Sequence, residues 1–121
     1  MSRSLILTAS VVGTASGSGN GTLSAGPSAP GNIWYPQSVA IYMSGSFPPV
    51  SGSNTPVCSI YTGGASNPSN LVDATYQVLG ASSSMIAGQV IYPGQYIFAV
   101  WLYGNDNATI TMNIYGTRTV P

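Results

Sequence analysis

Residues 89–115 carry the clearest structural pattern in the chain. Apolar residues occupy alternate positions on both sides of Gly104-Asn105-Asp106-Asn107, a segment with turn-forming residues. This pattern predicts two strands joined as a β-hairpin, with Tyr103 opposite Ala108. In that register one face is wholly apolar and should belong to the core. The predicted core residues of the hairpin are Ile97, Ala99, Trp101, Tyr103, Ala108, Ile110, Met112 and Ile114.

The opposite face of the predicted hairpin is mixed. Phe98, Val100 and Leu102 alternate with the core positions of the first strand, and the second strand offers threonine and asparagine opposite them. A two-layer sandwich needs only one apolar face per sheet, so this second stripe needs a cover. Either another segment of the same chain or another subunit can supply it.

Other segments also read as strands. Alternation predicts strands at residues 5–12, 32–43, 57–62 and 71–79. In residues 32–43, Ile33, Tyr35, Val39 and Ile41 share one side. Pro36 cannot donate a ladder hydrogen bond, so this strand should start after Pro36 or lie at an edge with a bulge there. Residues 80–87 are assigned to a loop rather than a helical turn, and residues 92–95 to a type II turn.

These segments predict an all-β fold. Seven or eight strands at intervals of about 8 to 15 residues, with no helix of normal length, indicate an antiparallel β-sandwich, and the long, uneven connections favour a jelly-roll-like topology. Residues 1–12 form an N-terminal strand or arm, residues 13–31 a Gly/Ser-rich loop or linker that only Leu23 can anchor, and residues 32–121 the sandwich domain. The arm can pack on its own domain or add itself to a neighbour's sheet edge.

The charge content is unusually low. Arg3, Arg118, Asp73 and Asp106 are the only charged residues, 3% of the chain, where about 25% is usual. A neutral surface gives little protection against association and suits a permanent assembly. Zero net charge argues against a nucleic-acid partner. We expect no membrane segment, because no apolar stretch approaches the roughly 20 residues that span a bilayer.

Residues suited to catalysis or metal binding are few. The chain has no histidine, lysine or glutamate, so the sequence predicts no enzyme, cofactor or metal site. Asp73 and Asp106 could act as a glycosidase pair only if folding brought them within roughly 5 to 10 Å. Turn capping by Asp106 and exposure of Asp73, or its pairing with Arg118, are the favoured readings. We expect Cys58 to be a buried, small apolar residue.

Two features of the remaining sequence leave alternatives open. Residues 1–16 have a weak likeness to a signal peptide, but Thr8 and Ser10 break the apolar run, and we interpret the segment as a strand. Exposed aromatic rings could stack on sugars, although most should be core or subunit contacts. The rings in question are Trp34, Tyr35, Tyr42, Tyr61, Tyr76, Tyr92, Tyr96, Trp101, Tyr103 and Tyr115.

Four short runs carry a family resemblance: PGQYIFAVW from Pro93, ATITMNIYGT from Ala108, WYP from Trp34 and CSIYTG from Cys58. Together they resemble small virion structural proteins of tailed bacteriophages, and those infecting actinobacteria come closest. The resemblance implies a jelly-roll-like protein present in many virion copies, with no catalytic motif. The expected function is a capsid decoration or cement protein. A tail or collar component and a carbohydrate-binding module are the alternatives.

The same resemblance implies particular partners. The protein should bind the major capsid protein or other virion proteins, and its own copies, on the virion and preferably on the capsid surface. A trimer is favoured by analogy, because decoration proteins often sit where three capsomer subunits meet. The candidate interface residues are Leu5, Leu7, Val11, Phe98, Val100 and Leu102.

Overall fold

The computed structural model describes residues 3–16, 19–27, 29–44, 57–64, 70–76, 80–85, 88–102 and 107–121, with the backbone alone at residues 74–76 and 80–85. Eight β-strands make up most of this part of the chain. They are β1 (Arg3–Thr14), β2 (Gly21–Ala25), β3 (Ile33–Met43), β4 (Val57–Gly63), β5 (Leu71–Tyr76), β6 (Gly80–Met85), β7 (Tyr96–Leu102) and β8 (Thr109–Val120).

The strands form two four-stranded sheets. Sheet A has the order β1-β8-β3-β6, and sheet B has the order β2-β7-β4-β5. The first strand pairs with the eighth, the second with the seventh, the third with the sixth and the fourth with the fifth, all antiparallel. A long antiparallel ribbon rolled into two facing sheets gives this nesting, which is the jelly-roll arrangement. The predicted all-β, antiparallel, jelly-roll-like sandwich is confirmed.

The predicted hairpin is wrong in its pairing and right in its faces. β7 and β8 lie in different sheets, so Trp101 is opposite Cys58 and Gly21 rather than Ile110. The predicted apolar faces nevertheless meet across the sandwich, because both point inward. Alternation determines which side chains point to the core, but it does not determine the partner of a strand. The same alternation is compatible with a hairpin turn and with a connection that crosses from one sheet to the other. Tyr103 and residues 104–106 of the predicted turn lie outside the described residues.

The core fills the space between the two sheets. Inward positions of β3, β4, β7 and β8 and the segment before β7 supply its largest side chains. Those that are fully buried are Val39, Ile41, Met43, Ile60, Ile91, Ile97, Trp101, Ile110, Met112 and Ile114. Cys58 is also buried and unbridged, which confirms its predicted role as a small apolar residue.

Pro36 sits at a predicted β-bulge, but the edge position predicted together with that bulge is wrong. The register of β3 against β8 shifts between Pro36 and Ser38. β3 is not an edge strand, but β6 joins it only from Ser38 onward, so the proline lies where β6 demands no donor. The extra residue reverses the alternation. Pro36 is therefore buried and Tyr35 exposed, and the predicted placement of Tyr35 on the same side as Val39 is wrong.

Two strands were missed by the sequence reasoning. The predicted linker at residues 13–31 contains β2, the edge strand of sheet B, and the predicted loop at residues 80–87 contains β6, the edge strand of sheet A. Both are built from small residues. Backbone hydrogen bonds to one neighbour hold such strands, so no run of large apolar residues marks them. Leu23 anchors β2, since its side chain is buried in the core as expected.

The N-terminal strand belongs to the sandwich. β1 pairs with β8 over its whole length, from Arg3 opposite Val120 to Thr14 opposite Thr109. Of the two predicted alternatives for the arm, packing on its own domain is the one observed. β1 is therefore a strand of sheet A, as β2 is a strand of sheet B. The predicted type II turn is confirmed, since Gln95 N donates to Tyr92 O at 2.9 Å and Gly94 has a φ of 87°.

Candidate interaction surfaces

The described residues contain no cluster of potential metal ligands. No group of three or more histidine, cysteine, aspartate or glutamate side chains lies together among them. Asp73 lies in β5 of sheet B, opposite Ile60, and Arg118 lies in β8 of sheet A. Asp106 and the rest of the predicted turn before Asn107 lie outside the described residues. The glycosidase-pair reading therefore gains nothing from the geometry.

The thiol of Cys58 is unsuited to nucleophilic chemistry. Burial raises its pKa from 9.0 to about 12, an effect that a hydrogen bond with the Val100 backbone partly opposes. The thiol therefore stays protonated at neutral pH, whereas a reactive cysteine needs the thiolate. Its cross-strand neighbour Trp101 is equally enclosed, and the indole Nε1 has no hydrogen-bond partner within the described structure. Both side chains are therefore part of the hydrophobic core.

The outer face of sheet B carries a continuous apolar surface. It arises because outward residues of three neighbouring strands fall in register: Tyr61 is opposite Phe98 on one side and Leu71 on the other. The ring centroids of Tyr96 and Phe98 lie 5.8 Å apart at 55°. We call this surface the sheet B patch. Its members are Val57, Tyr61, Leu71, Tyr96, Phe98, Val100 and Leu102.

The sheet B patch has the composition of a contact surface. Leu71 and Tyr96 are 48% and 41% exposed, which is high for large apolar side chains. Thr22 and Ser24 flank the patch on β2 and Ser59 lies opposite Val100, so these neighbours are polar and uncharged, whereas Asp73 lies two positions after Leu71 in β5. Covering the patch residues removes aromatic and aliphatic area from water, and none of these residues carries a charge that would have to be desolvated. Central aromatic anchors with a polar rim are typical of protein–protein interfaces.

Three of the six candidate interface residues lie in the sheet B patch. They are Phe98, Val100 and Leu102, all on the outward face of β7. The intramolecular cover considered for this stripe is not seen among the described residues, because Phe98 and Val100 are only half-buried and Leu102 is exposed. Sequence reasoning missed Tyr61 and Leu71 because their contact with Phe98 depends on strand pairing, which alternation does not reveal.

The other three candidates are on the inward side of β1. Leu7 is 2% exposed and packs in the core, so it has no surface to offer a partner. Val11 is half-buried against the core, and only Leu5, near the start of the strand, is exposed. The most exposed apolar residues of β1 are Ile6 and Val12, at 79% and 64%. Both faces of β1 carry apolar residues, so the sequence alone did not decide which face turns inward.

The outer face of sheet A is hydroxyl-rich and less continuous. Along β8 its outward residues are Thr109, Thr111, Asn113, Tyr115, Thr117 and Thr119. Ile6 and Tyr35 flank Thr117, and Val12 and Tyr42 flank Thr111, so the apolar side chains are separated by threonine. This face is therefore a weaker candidate for a stable apolar contact than the sheet B patch.

No protein-family model, curated protein or solved structure matches the chain. The resemblance to phage virion proteins therefore remains an expectation from the sequence. The described residues also contain no helix long and apolar enough to cross a membrane.

Proposed function

We propose that the chain is a non-enzymatic structural subunit of a bacteriophage virion, a capsid decoration or cement protein that binds the major capsid protein or other virion proteins. The observation that carries the proposal is the sheet B patch, an apolar surface on a nearly charge-free protein. A free monomer with such a surface is prone to association, whereas a permanently assembled subunit uses it.

The fold and the resemblance support the same proposal. Jelly rolls occur in viral capsid proteins and also in lectins, so the fold is compatible with the proposed function without deciding it. The patch includes Tyr96, Phe98 and Val100, which lie within the run PGQYIFAVW that resembles virion proteins. A sheet face of this kind suits docking on another ordered protein surface better than binding a small substrate, for which a concave site is usual.

Capsid binding by patch variants tests the proposal. Phe98→Lys places a charge at the centre of the sheet B patch, and we expect binding to capsids that lack the chain to weaken by at least thirtyfold, since a hot-spot residue contributes about 2 kcal/mol or more. Tyr92→Lys is the matched control, because Tyr92 is an exposed aromatic residue in the turn outside the patch. Circular dichroism should show that both variants are folded.

The position of the chain in the virion gives the second measurement. Density for the sandwich on the capsid surface, with the sheet B patch against the capsid, is the expected result. Density confined to the tail or collar would replace decoration with the alternative structural role. If Phe98→Lys occupies capsids as well as Tyr92→Lys does, the patch is not the docking surface and the proposal fails.

A carbohydrate-binding module is the second candidate, and one observation favours it. Tyr96 presents an exposed ring beside Phe98, and aromatic faces of this kind stack on sugars. Trp101 is excluded from that role because it is fully buried. Glycan-array binding by the purified chain, abolished by Tyr96→Ala and retained by Tyr92→Ala, would favour the module over the structural subunit.

A further inference from the structure

β1 has a free edge with unusual properties. It lies at the border of sheet A and, among the described residues, pairs only with β8. Its register against β8 runs over twelve residue pairs without a shift. Natural edge strands are normally protected by lysine, proline, a bulge or short length. β1 has none of these, and its only charged residue is Arg3 at the start.

One hydrogen bond shows which backbone groups of β1 point to this edge. Ala15 N donates to Ala108 O at 2.8 Å, and these two residues continue the register that pairs Thr14 with Thr109. Alternate residues of an antiparallel strand direct both backbone groups to the same neighbour. The odd-numbered residues of β1 therefore bond to β8. The residues whose N–H and C=O groups point to the free edge are Ser4, Ile6, Thr8, Ser10, Val12 and Thr14.

The side chains on this edge are self-complementary about Ala9. An antiparallel copy of β1 related by a twofold axis through Ala9, perpendicular to the sheet, places Ile6 of one copy opposite Val12 of the other. These are the two most exposed large apolar side chains of the described chain. The same register places Thr8 opposite Ser10. Moving the axis by one residue sets Ile6 and Val12 opposite serine or threonine and shortens the ladder.

We propose that β1 pairs with β1 of a second copy about this twofold axis and joins the two A sheets into one eight-stranded sheet. The pairing uses the six edge-facing residues of each copy, which together make about a dozen backbone hydrogen bonds. It buries Ile6 and Val12 against each other twice and brings no like charges together. A twofold assembly takes the place of the trimer expected by analogy, and it uses a surface separate from the sheet B patch.

A register-specific cross-link tests the proposed axis. Ala9→Cys places two thiols at the axis, where the Cα atoms of a non-hydrogen-bonded pair are about 4.5 Å apart, within the roughly 4.4 to 6.8 Å that disulfides span. Val12→Cys is the matched control, because its two copies lie about 20 Å apart along the ladder. The native thiol of Cys58 is buried and should not interfere.

After mild oxidation we expect Ala9→Cys to run as a covalent dimer in non-reducing electrophoresis and Val12→Cys to run as a monomer. Equal cross-linking of the two variants would show that the contact is random or in another register. A covalent ladder beyond the dimer in Ala9→Cys would also overturn the proposal, because one free edge accepts one partner.

Charge variants test the same contact without a covalent bond. Ile6→Lys with Val12→Lys sets lysine opposite lysine across the axis, and we expect the dimer Kd to rise at least tenfold in analytical ultracentrifugation. Ile6→Lys with Val12→Glu sets lysine opposite glutamate and should restore most of the affinity. Tyr42→Lys is the control, because Tyr42 is exposed on the same sheet face two strands from the edge.

Three results of this series would overturn the proposal: an unmodified chain that is monomeric, one that is trimeric, or a Lys/Glu variant that dissociates as readily as the Lys/Lys variant. The measurements use purified protein and are independent of capsid binding. If the Phe98→Lys experiment contradicts the virion assignment, the proposal of the twofold contact is unaffected. If these measurements contradict the twofold contact, the virion assignment is unaffected.

Discussion

Gly116 should be the least replaceable glycine of sheet A. It lies in β8 between Leu7 of β1 and Pro36 of β3, where the bulge brings the β3 backbone close. A Cβ atom added at Gly116 would lie 2.8 Å from Pro36 Cα and 2.9 Å from Gln37 N, and closer still to Tyr35 O. All three are backbone atoms, so no side-chain rotation can relieve the overlap.

The cost of Gly116→Ala follows from this crowding. Overpacking in a well-packed region costs about 1 to 3 kcal/mol, and a backbone obstacle favours the upper part of that range. Restricting the unfolded chain by replacing glycine with alanine returns only about 0.4 to 1 kcal/mol. We therefore expect a net loss of about 2 kcal/mol, which corresponds to a fall in Tm of roughly 6 to 12 °C for a domain of this size.

Thermal and urea unfolding, followed by circular dichroism, measure this loss. Gly64→Ala is the matched control, because a Cβ added there meets no described atom within 4 Å and its φ is not in the left-handed region. The control should be neutral or slightly stabilising. If Gly116→Ala unfolds at the same temperature as Gly64→Ala, β3 and β8 are not in the register described, and the explanation of the Pro36 bulge is wrong.

Two further predictions concern buried groups. Trp101→Ala should lower the free energy of unfolding by about 3 to 5 kcal/mol, because it opens a large cavity. Trp101→Phe should lower it clearly less, since it also removes an indole N–H that lacks a described partner. Equal urea midpoints for the two variants would contradict this. The pKa of Cys58 is raised from 9.0 to about 12 in the folded protein. As the pH rises, the unfolded chain therefore loses the thiol proton before the folded chain does. The stability contributed by the buried, protonated thiol is complete below pH 9 and is lost as the pH rises towards 12. The alkaline fall in Tm should be smaller in Cys58→Ala, and an unchanged pH profile would show that the thiol is accessible.

The sequence predicted side-chain faces well and strand partners poorly. Ile97, Ala99 and Trp101 point inward because alternation is a property of one strand, readable from a few consecutive residues. That β7 pairs with β2 and β4 depends on segments tens of residues away. Proximity in sequence made β8 the natural partner of β7, and the real connection passes from one sheet to the other.

The bulge shows how one backbone irregularity limits pattern reading. Pro36 indicated the position of the bulge correctly, but alternation alone placed Tyr35 on the wrong face. An inserted residue shifts the alternation by one, so Tyr35 and Val39 have the same parity in sequence and opposite faces in the sheet. A pattern read across a predicted bulge should therefore be counted separately on its two sides.

The candidate surfaces follow the same division between local and non-local information. Phe98, Val100 and Leu102 run along one strand, so the sequence could find them, while Tyr61 and Leu71 join them across strands and only the ladder reveals the row. On β1 the candidate interface residues Leu5, Leu7 and Val11 belong to the face that turns inward. The face of β1 that turns inward is the one that packs against sheet B. Because Leu7 lies in the core, Ile6 and Val12 must point outward. The free edge of β1 then combines both kinds of information. The order of residues in β1 gives its symmetry about Ala9, and the pairing with β8 identifies the backbone groups that point to the other edge, where we propose that a second copy binds.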